Sequence, residues 1–263
     1  MSVDFDDRLW KGYREGRTLP PSSMDAWMDA VERYADARRP LAVLDLGSGT
    51  GRFTPSLAER FGGPVYGVEP AANMRRVAVG SSPHPAVTYL DGRAEQIPLP
   101  DGSCDLAFLF FVYHHFGDRG AAASELARVL RPGAVICMRT QFGDRLRDVS
   151  WRRYFPRALE VERSTFPSYE ESTAPFVRRG FELVALDAVE FEVASSVGAH
   201  LERLRYRAIS TLELLTEDEV EAGFAAMERA AAEETGGQPV REVADLLVLR
   251  RQGDRGVNVR SSS

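Results

Sequence analysis

The segment Leu41–Arg60, LAVLDLGSGTGRFTPSLAER, decides the fold that we expect for this chain. It begins with apolar residues of the strand-forming type and ends in a helical pattern, with a glycine-rich turn from Gly47 to Gly51 between them. A strand that leads through such a turn into a helix is typical of the first unit of a nucleotide-binding α/β fold. The turn therefore predicts a ligand site, because glycines permit close approach and the free N–H groups of the helix face the ligand.

The spacing of the glycines favours one class of ligand. A dinucleotide-binding turn requires the pattern G-x-G-x-x-G, but Arg52 stands at the third glycine position. The sequence D-L-G-S-G-T-G, which begins at Asp45, instead resembles motif I of class I S-adenosylmethionine (SAM) methyltransferases. The resemblance implies that the turn binds the aminocarboxypropyl end of SAM, close to Asp45. The turn residues implied are Gly47, Ser48, Gly49, Thr50 and Gly51. A turn without a ligand, or one that binds NAD, remains the alternative.

Segments after the turn extend the resemblance. Glu69 ends an apolar strand-like run, about where this architecture places an acid that binds ribose hydroxyls. The segment from Gly92 to Pro100 resembles the family's G-D-A-E-x-L-P segment, which packs against adenine. Arg93 departs from it, because arginine cannot accept a hydrogen bond. E-L-A-R-V-L-R-P-G-A, which ends at Ala134, resembles the post-motif segment. The further cofactor-binding residues implied are Arg17, Pro70, Met74, Gly92, Arg93, Ala94, Glu95, Phe110, Phe111 and His115.

Apolar runs alternate with helical patterns along the chain, which predicts an α/β fold. We expect a Rossmann-like, seven-stranded, mostly parallel sheet with helices on both faces and a helical cap. A helix over about 24–37 is expected to be capped by Ser22 or Ser23, and Thr216 is expected to form a capping box. The expected division is an N-terminal arm and helix over the SAM pocket (1–40), a SAM-binding core (41–140), an aromatic cap insertion (141–180), the end of the sheet (181–252) with a helical insertion (195–237), and a disordered tail (253–263).

Bulk properties exclude several classes of partner. The net charge of -6 predicts no general attraction to nucleic acid or membranes, and no N/D-P-P-Y/F motif of nucleic-acid methyltransferases is present. The longest strongly apolar run, Leu106–Tyr113, is too short to span a bilayer, and the polar N-terminus is not a secretory signal. Cys104 and Cys137 are interpreted as buried free thiols in a reducing cytoplasm. These properties are compatible with a homodimer.

The subfamily resembled acts on small molecules. It is related to ubiquinone and menaquinone methyltransferases and to natural-product tailoring enzymes, and its Y-x-x-G-R element matches Tyr13–Arg17. The function implied is SAM-dependent methylation of a small molecule in secondary metabolism. Two alternatives remain: C-methylation of an anionic, lipid-like acceptor such as a prenyl diphosphate, and SAM binding without methyl transfer.

Methyl transfer requires mainly orientation and a dry pocket, and a base is needed only when the acceptor must lose a proton. His114, in the loop after the fourth strand, is the candidate base, since imidazole titrates near neutral pH. Tyr13 is the second candidate for a polar contact near the methyl group, and Arg17 is the candidate partner of the SAM carboxylate. The alternatives are that the histidines only pack the loop and that the arm is solvated. No spacing supports a metal site.

The acceptor site is expected where aromatic and arginine residues follow the strand ends. Arg139, near the end of the fifth strand, is the candidate for binding a phosphate or carboxylate. The aromatic candidates for the acceptor's apolar body are Tyr113, Trp151, Tyr154 and Tyr206. Because Lys11 is the only lysine, arginine occupies almost every basic position, and the alternative is that these arginines are ordinary surface residues.

Overall fold

The computed structural model describes residues 10–253. The strands are β1 (Leu41–Leu46), β2 (Gly62–Val68), β3 (Val87–Leu90), β4 (Cys104–Phe110), β5 (Leu130–Thr140), β6 (Phe181–Ala194) and β7 (Val240–Arg251). The helices are α1 (Tyr13–Arg17), α2 (Pro21–Glu32), α3 (Thr54–Phe61), α4 (Ala72–Ser81), α5 (Arg119–Val129), α6 (Arg157–Thr165), α7 (Tyr169–Val177), α8 (Val197–Leu204) and α9 (Glu217–Glu233). Single 3-10 helices span Tyr113–His115, Ser150–Tyr154 and Ser210–Leu214.

The strands form one seven-stranded sheet in the order β3-β2-β1-β4-β5-β7-β6. The first five strands in this order, β3, β2, β1, β4 and β5, pair in parallel with one another. Strand β7 runs antiparallel to both β5 and β6. This confirms the predicted fold class. The strand order reverses between β1 and β4, and in open α/β sheets ligands bind at that point, outside the carboxyl ends of the strands.

Side chains alternate between the two faces of the sheet, and each face is covered by helices. Val43 packs on the face that α2 and α3 cover, in a cluster that contains Trp27 and Leu57. Leu44 packs on the opposite face with residues of α5 and α7. Because both faces are buried, the parallel strands have the continuous apolar sequences from which they were predicted.

The start of α2 differs from its prediction. The helix begins at Pro21 after Pro20, without a side-chain cap, because proline tolerates the first helical position where its missing N–H costs nothing. Ser23 instead donates its hydroxyl hydrogen bond to the carbonyl of Glu192 at 2.6 Å, which ties α2 to β6. The capping box at Thr216 is present as predicted.

A third apolar cluster lies beyond the sheet. It joins the 3-10 helix at Ser150–Tyr154, α8 and α9, with Trp151, Phe155 and Met227 buried inside it. We call this part of the chain, which comprises the cluster-forming helices between residues 149 and 233, the helical segment. It brings positions far apart in sequence to the carboxyl ends of the sheet strands.

Three expectations concern the termini, the thiols and membranes. Cys104 and Cys137 are both buried and unpaired, as predicted. Within the described residues, no helix is long and apolar enough to cross a membrane. The predicted disordered tail lies outside the described residues except for exposed Gly253.

Candidate functional site

The glycine-rich turn after β1 is held tightly against the end of β2. The N–H groups of Gly47 and Ser48 both donate to the carbonyl of Val68, at 2.8 and 3.2 Å. Gly47 has a φ of 76° and Gly49 a φ of 57°, in the region that only glycine adopts without strain. A Cβ on Gly47 would lie 2.3 Å from Cγ2 of Val112, so the turn has no room for a side chain there.

Glu69, directly after β2, lies against this turn. Its Oε2 accepts the N–H of Gly49 at 3.0 Å, and its Oε1 accepts the N–H of Ala71 at 2.9 Å. The side chain is buried, so the carboxylate is fixed between the turn and the start of α4. A carboxylate in this position can accept hydrogen bonds from hydroxyls of a ligand that approaches the turn.

A cleft of about 390 Å³ opens beside the turn, at the ends of β1, β2 and β4. We call it the adenosyl cleft, because the sequence predicts that SAM binds beside this turn. It is lined by Leu46, Gly47, Val68, Pro70, Gly92, Arg93, Ala94, Glu95, Val112, His115, Phe116, Gly117 and Asp118. Oε1 of Glu95 accepts the N–H groups of Gly117 and Asp118, at 2.8 and 3.1 Å, and so holds one end of the cleft together.

A second cavity, of about 70 Å³, lies on the other side of the end of β4. We call it the arginine cavity. Its lining residues are Gly16, Arg17, Leu19, Arg52, Phe110, Phe111, Arg139, Gln141, Val149, Trp151, Glu162, Phe191, Val193, His200, Arg203, Leu204, Ile209 and Glu242. It is formed by the N-terminal arm, the strand ends and the helical segment.

Burial and mutual repulsion act on the arginines of this cavity. Burial, and then the charge of Arg17, lower the pKa of Arg139 to about 9. The same two causes lower the pKa of Arg203 to about 10. Burial is also the first cause for Arg52, with a pKa of about 9. All three guanidinium groups therefore stay charged at neutral pH.

Phe111 lines the arginine cavity, and the next residue, Val112, lines the adenosyl cleft. The guanidinium carbon of Arg139 lies 3.9 Å from the centre of the Phe111 ring, within the range of a cation–π contact. Arg17 lies over the same ring at 5.5 Å. The backbone of Phe111 has a φ of 58°, a strained conformation for a residue with a side chain, and such strain is concentrated at functional sites.

Comparison with known proteins identifies the family. The sequence profile of a methyltransferase domain matches residues 44–138. An uncharacterized methyltransferase of Geobacillus kaustophilus is 31% identical over 184 residues, which cover 66% of this chain and 83% of the relative. The chain belongs to the class I SAM-dependent methyltransferases.

Two further matches place limits on this assignment. An uncharacterized methyltransferase of Mycobacterium tuberculosis is 41% identical to this methyltransferase over 134 residues, so the chain spans half the length of that relative (51% of this chain, 50% of the relative). A crystal structure from Anabaena variabilis, described provisionally as a methyltransferase of an antibiotic biosynthesis pathway, superposes with a TM-score of 0.70. It is 22% identical and covers 89% of this chain and 98% of its own, which shows a shared fold.

SAM is the methyl donor of this family, and the residues around the turn of this methyltransferase fit it. The buried hydroxyl of Ser48 has no hydrogen-bond partner among the described residues. The carboxylate of Glu69 accepts the N–H of the next turn residue, Gly49, at 3.0 Å. Val68 and Pro70, on either side of Glu69, line the adenosyl cleft, whereas Ser48, Gly49 and Glu69 themselves do not. Of the predicted cofactor-binding residues, the cleft is lined by Gly47, Pro70, Gly92, Arg93, Ala94, Glu95 and His115.

Asp45 differs from its predicted role. Its Oδ2 accepts the hydroxyl hydrogen of Thr54, the first residue of α3, at 2.6 Å, and it does not line the cleft. Burial raises the pKa of Asp45 to about 7. Its carboxyl group therefore anchors the turn to α3 instead of facing the cleft, because its strand position points it into the protein.

Three more predicted cofactor contacts are turned away from the cleft. The carbonyl of Thr50 accepts from the Ser82 hydroxyl at 3.2 Å, and Gly51 packs beside the Tyr89 hydroxyl. Met74 is buried on the inner side of α4 with Ala78, because the helical spacing turns both toward the protein interior.

Three more of the predicted cofactor residues lie in the arginine cavity. Arg17, Phe110 and Phe111 line it, and none of the three lines the adenosyl cleft. Tyr13 lies over the turn, since a Cβ on Gly49 would be 3.9 Å from its Cε1. The arm is held there by Gly16, which packs closely against Ala208 and Tyr206.

The four aromatic residues predicted to bind the acceptor lie in different parts of the structure. Trp151 lines the arginine cavity. Tyr113 is completely buried in the core with Phe116 and Phe176, because its 3-10 helix turns it away from both cavities. Tyr154 packs at the edge of the third cluster, outside the lining of the cavity. Tyr206 is 50% exposed and packs against Gly12 and Gly16 of the N-terminal arm. The predictions for Tyr113, Tyr154 and Tyr206 are therefore corrected.

The two adjacent histidines lie at the boundary between cleft and cavity. The ring of His114 is 4.8 Å from Phe111 and 3.9 Å from His115. Burial, followed by the charges of His115 and Arg139, holds the pKa of His114 well below its usual value, so its ring is neutral. Both of its ring nitrogens are buried without a hydrogen-bond partner among the described residues.

Sequence reasoning missed several polar residues of the cavity. Ser150 donates to Glu242 at 2.8 Å and lies 3.3 Å from Nδ1 of His200. Glu162 is paired with Arg152 at 2.7 Å. These residues and Arg203 come from distant segments without a motif, whereas Arg52 could have been found from its position beside the turn. Within residues 10–253, no three His, Cys, Asp or Glu side chains gather as a metal site.

Proposed function

We propose that this chain transfers a methyl group from SAM to a small molecule, in secondary metabolism. The family assignment supports methyl transfer, and the sequence resemblance to natural-product tailoring enzymes supports the metabolic setting. The observation that carries the proposal is the carboxylate of Glu69, which accepts the N–H of Gly49 at 3.0 Å and stands between two residues, Val68 and Pro70, that line the adenosyl cleft.

Each part of the site has a proposed role. Glu69 accepts hydrogen bonds from the ribose hydroxyls, and the segment from Gly92 to Glu95 borders the adenine. Tyr13 and Arg17, on the arm above the turn, contact the aminocarboxypropyl end. When bound, SAM supplies an electrophilic methyl group next to its sulfonium. The arm, Phe111 and the helical segment exclude water from that point.

For an acceptor that must lose a proton, His114 is the proposed base. Its ring is neutral, so it can take a proton at the one nitrogen that carries none, and neither nitrogen has a hydrogen-bond partner among the described residues. The neighbouring cations Arg17 and Arg139 disfavour a second positive charge, which keeps the ring in its basic form. The acceptor is placed in the arginine cavity, on the far side of Phe111.

Calorimetry with SAM and S-adenosylhomocysteine tests the cofactor site. Glu69→Gln removes the charge but keeps an acceptor for the Gly49 N–H, and we expect it to weaken binding about tenfold to a hundredfold. Glu182→Gln, an exposed glutamate on β6, is the matched control and should leave the affinity unchanged. NAD should not bind.

The results of these experiments distinguish the ribose assignment from the proposed function as a whole. Unchanged affinity in Glu69→Gln would contradict the ribose assignment. Wild-type protein that binds neither SAM nor S-adenosylhomocysteine would contradict the proposed function. SAM binding with no transfer of a tritiated methyl group to any member of a broad small-molecule panel would favour a SAM-binding protein without methyl transfer.

A further inference from the structure

The arginine cavity contains cationic groups that the described protein does not neutralise. Arg139 is 7% exposed, and both its Nε and one Nη are buried without a hydrogen-bond partner. Nε of Arg203 and Nε of Arg17 are buried and unpaired in the same way. Within residues 10–253, none of these three arginines forms an ion pair.

The carboxylates near the cavity have other partners. Glu162 binds Arg152 and accepts the hydroxyl of Thr211 at 3.1 Å. Glu242 accepts both the N–H and the hydroxyl of Ser150, at 3.1 and 2.8 Å. Asp245 is paired with Arg147 at 2.8 Å. The excess charge on the lining is therefore positive.

A buried guanidinium without an ion-pair partner is costly, because it has lost its hydration. Glu242, Glu162 and Asp245 attract Arg139, but each affects its pKa less than burial or the charge of Arg17 does. Arg139 is also held in place, since its guanidinium carbon lies 3.9 Å from the centre of the Phe111 ring and its backbone carbonyl accepts the N–H of Phe111 at 2.8 Å. A fixed, planar group with free N–H donors matches the geometry of a carboxylate or phosphate. Surface arginines do not show this combination of burial, stacking and missing partners.

We propose that Arg139 and Arg203 bind a compact anionic group, a carboxylate or a phosphate, on the methyl acceptor. This inference rests on the proposed function. The anion enters the arginine cavity, with Phe111 between it and the adenosyl cleft. Arg17 belongs to the arm above the turn and serves the cofactor's own carboxylate.

The cavity limits the size of the group that it receives. Its volume of about 70 Å³ holds a few groups the size of water, so it fits the anionic head and not a long chain. A carboxylate or a phosphate group fits the space as it stands.

Binding of simple anions tests the inference without knowledge of the acceptor. Full-length protein saturated with S-adenosylhomocysteine is titrated by calorimetry with inorganic phosphate and, separately, with benzoate. We expect saturable binding of at least one probe, and the stronger one distinguishes phosphate from carboxylate. Arg139→Met, which keeps the apolar stem, and Arg203→Met should each weaken that probe at least tenfold, whereas Arg139→Lys should recover only part of the loss.

The matched control is Arg163→Met, an exposed arginine on α6, which should behave as wild type. Affinity for S-adenosylhomocysteine should stay within about twofold in all variants. Thermal unfolding gives a second readout: in buffer without the probe, Arg139→Met should unfold at the same or a higher temperature than wild type, because it removes an unpaired buried charge. The bound probe should raise the unfolding temperature of the wild type and of Arg163→Met more than that of Arg139→Met or Arg203→Met.

Three results would overturn the inference. Neither probe binding the saturated wild type up to about 10 mM would show that the cavity is not an anion site. Equal losses of probe and S-adenosylhomocysteine in Arg139→Met would assign the cluster to the cofactor's carboxylate. Wild-type protein that does not bind S-adenosylhomocysteine at all would remove the proposed function on which the inference depends.

Discussion

The adenosyl cleft and the arginine cavity lie on opposite sides of the end of β4, yet they are built differently. The cleft is lined mainly by backbone, glycines and apolar side chains, and all its lining residues lie within two segments, 46–70 and 92–118. The cavity is lined by side chains from the arm, four strand ends and the helical segment, and many of them are charged.

This difference shows how the two regions tolerate change. A cleft made of backbone groups depends on the conformation of one turn, which a single Cβ can disturb. A cavity made of charged side chains depends on the balance of burial and pairing, which a single exchange of a charged side chain would change.

The largest expected effect is at the boundary between the two regions. His114→Ala should lower kcat by about 10²–10⁴-fold for an acceptor that must be deprotonated, with little effect on SAM affinity. Because the pKa of His114 is held well below 6.5, the wild-type kcat should stay level as pH falls from 8 to about 6 and should decline only where the ring becomes protonated. The measurement is a kcat–pH profile of both proteins. A variant with near wild-type kcat would show that His114 only packs the loop.

The next effect concerns the stability of the cavity wall. Glu162→Gln leaves Arg152 charged and buried without its partner, and we expect a loss of about 3–5 kcal/mol in the free energy of unfolding. Glu160→Gln is the matched control on the same helix, since its contact with Arg157 is exposed and should contribute little. Urea denaturation measures both. Equal, small losses would mean that the cavity tolerates unpaired charge and would weaken the contrast between the regions.

The smallest effect tests the backbone-built cleft. Gly47→Ala should weaken S-adenosylhomocysteine binding about a hundredfold, because alanine is strained at a φ of 76° and its Cβ would meet Val112 at 2.3 Å. Gly80→Ala, an exposed helical position with open space around it, is the control. Calorimetry should find the control unchanged. If Gly47→Ala binds as wild type, the turn adapts more readily than its geometry indicates.

The fold and the cleft could be predicted largely from sequence because their determinants are local. The apolar runs specify the strands, and the spacing of Gly47 and Gly49 specifies the turn. Glu69 follows from its place at the end of the second strand. The direction of a side chain was harder to predict from the sequence. Asp45 was expected at the ligand but accepts the hydroxyl of Thr54, because the motif does not reveal which way the carboxyl group points.

The arginine cavity was only partly predicted. Arg139 and Trp151 were found because they follow a strand end and belong to an aromatic segment. Tyr113 has the same kind of position but is turned into the core by the 3-10 helix. Arg203, His200 and Glu242 carry no local signal, so no pattern in the sequence could place them beside Arg139.

The sequence by itself determined the order of strands and helices, the glycine turn and the acid after β2, because each depends on backbone propensities and spacing within a few residues. Only the tertiary structure decided where the charges meet. Antiparallel β7 and the helical segment carry Glu242 and Arg203 back to the ends of β4 and β5. Burial then removes water from the arginines, and their electrostatic interactions become stronger than those of basic residues at the surface.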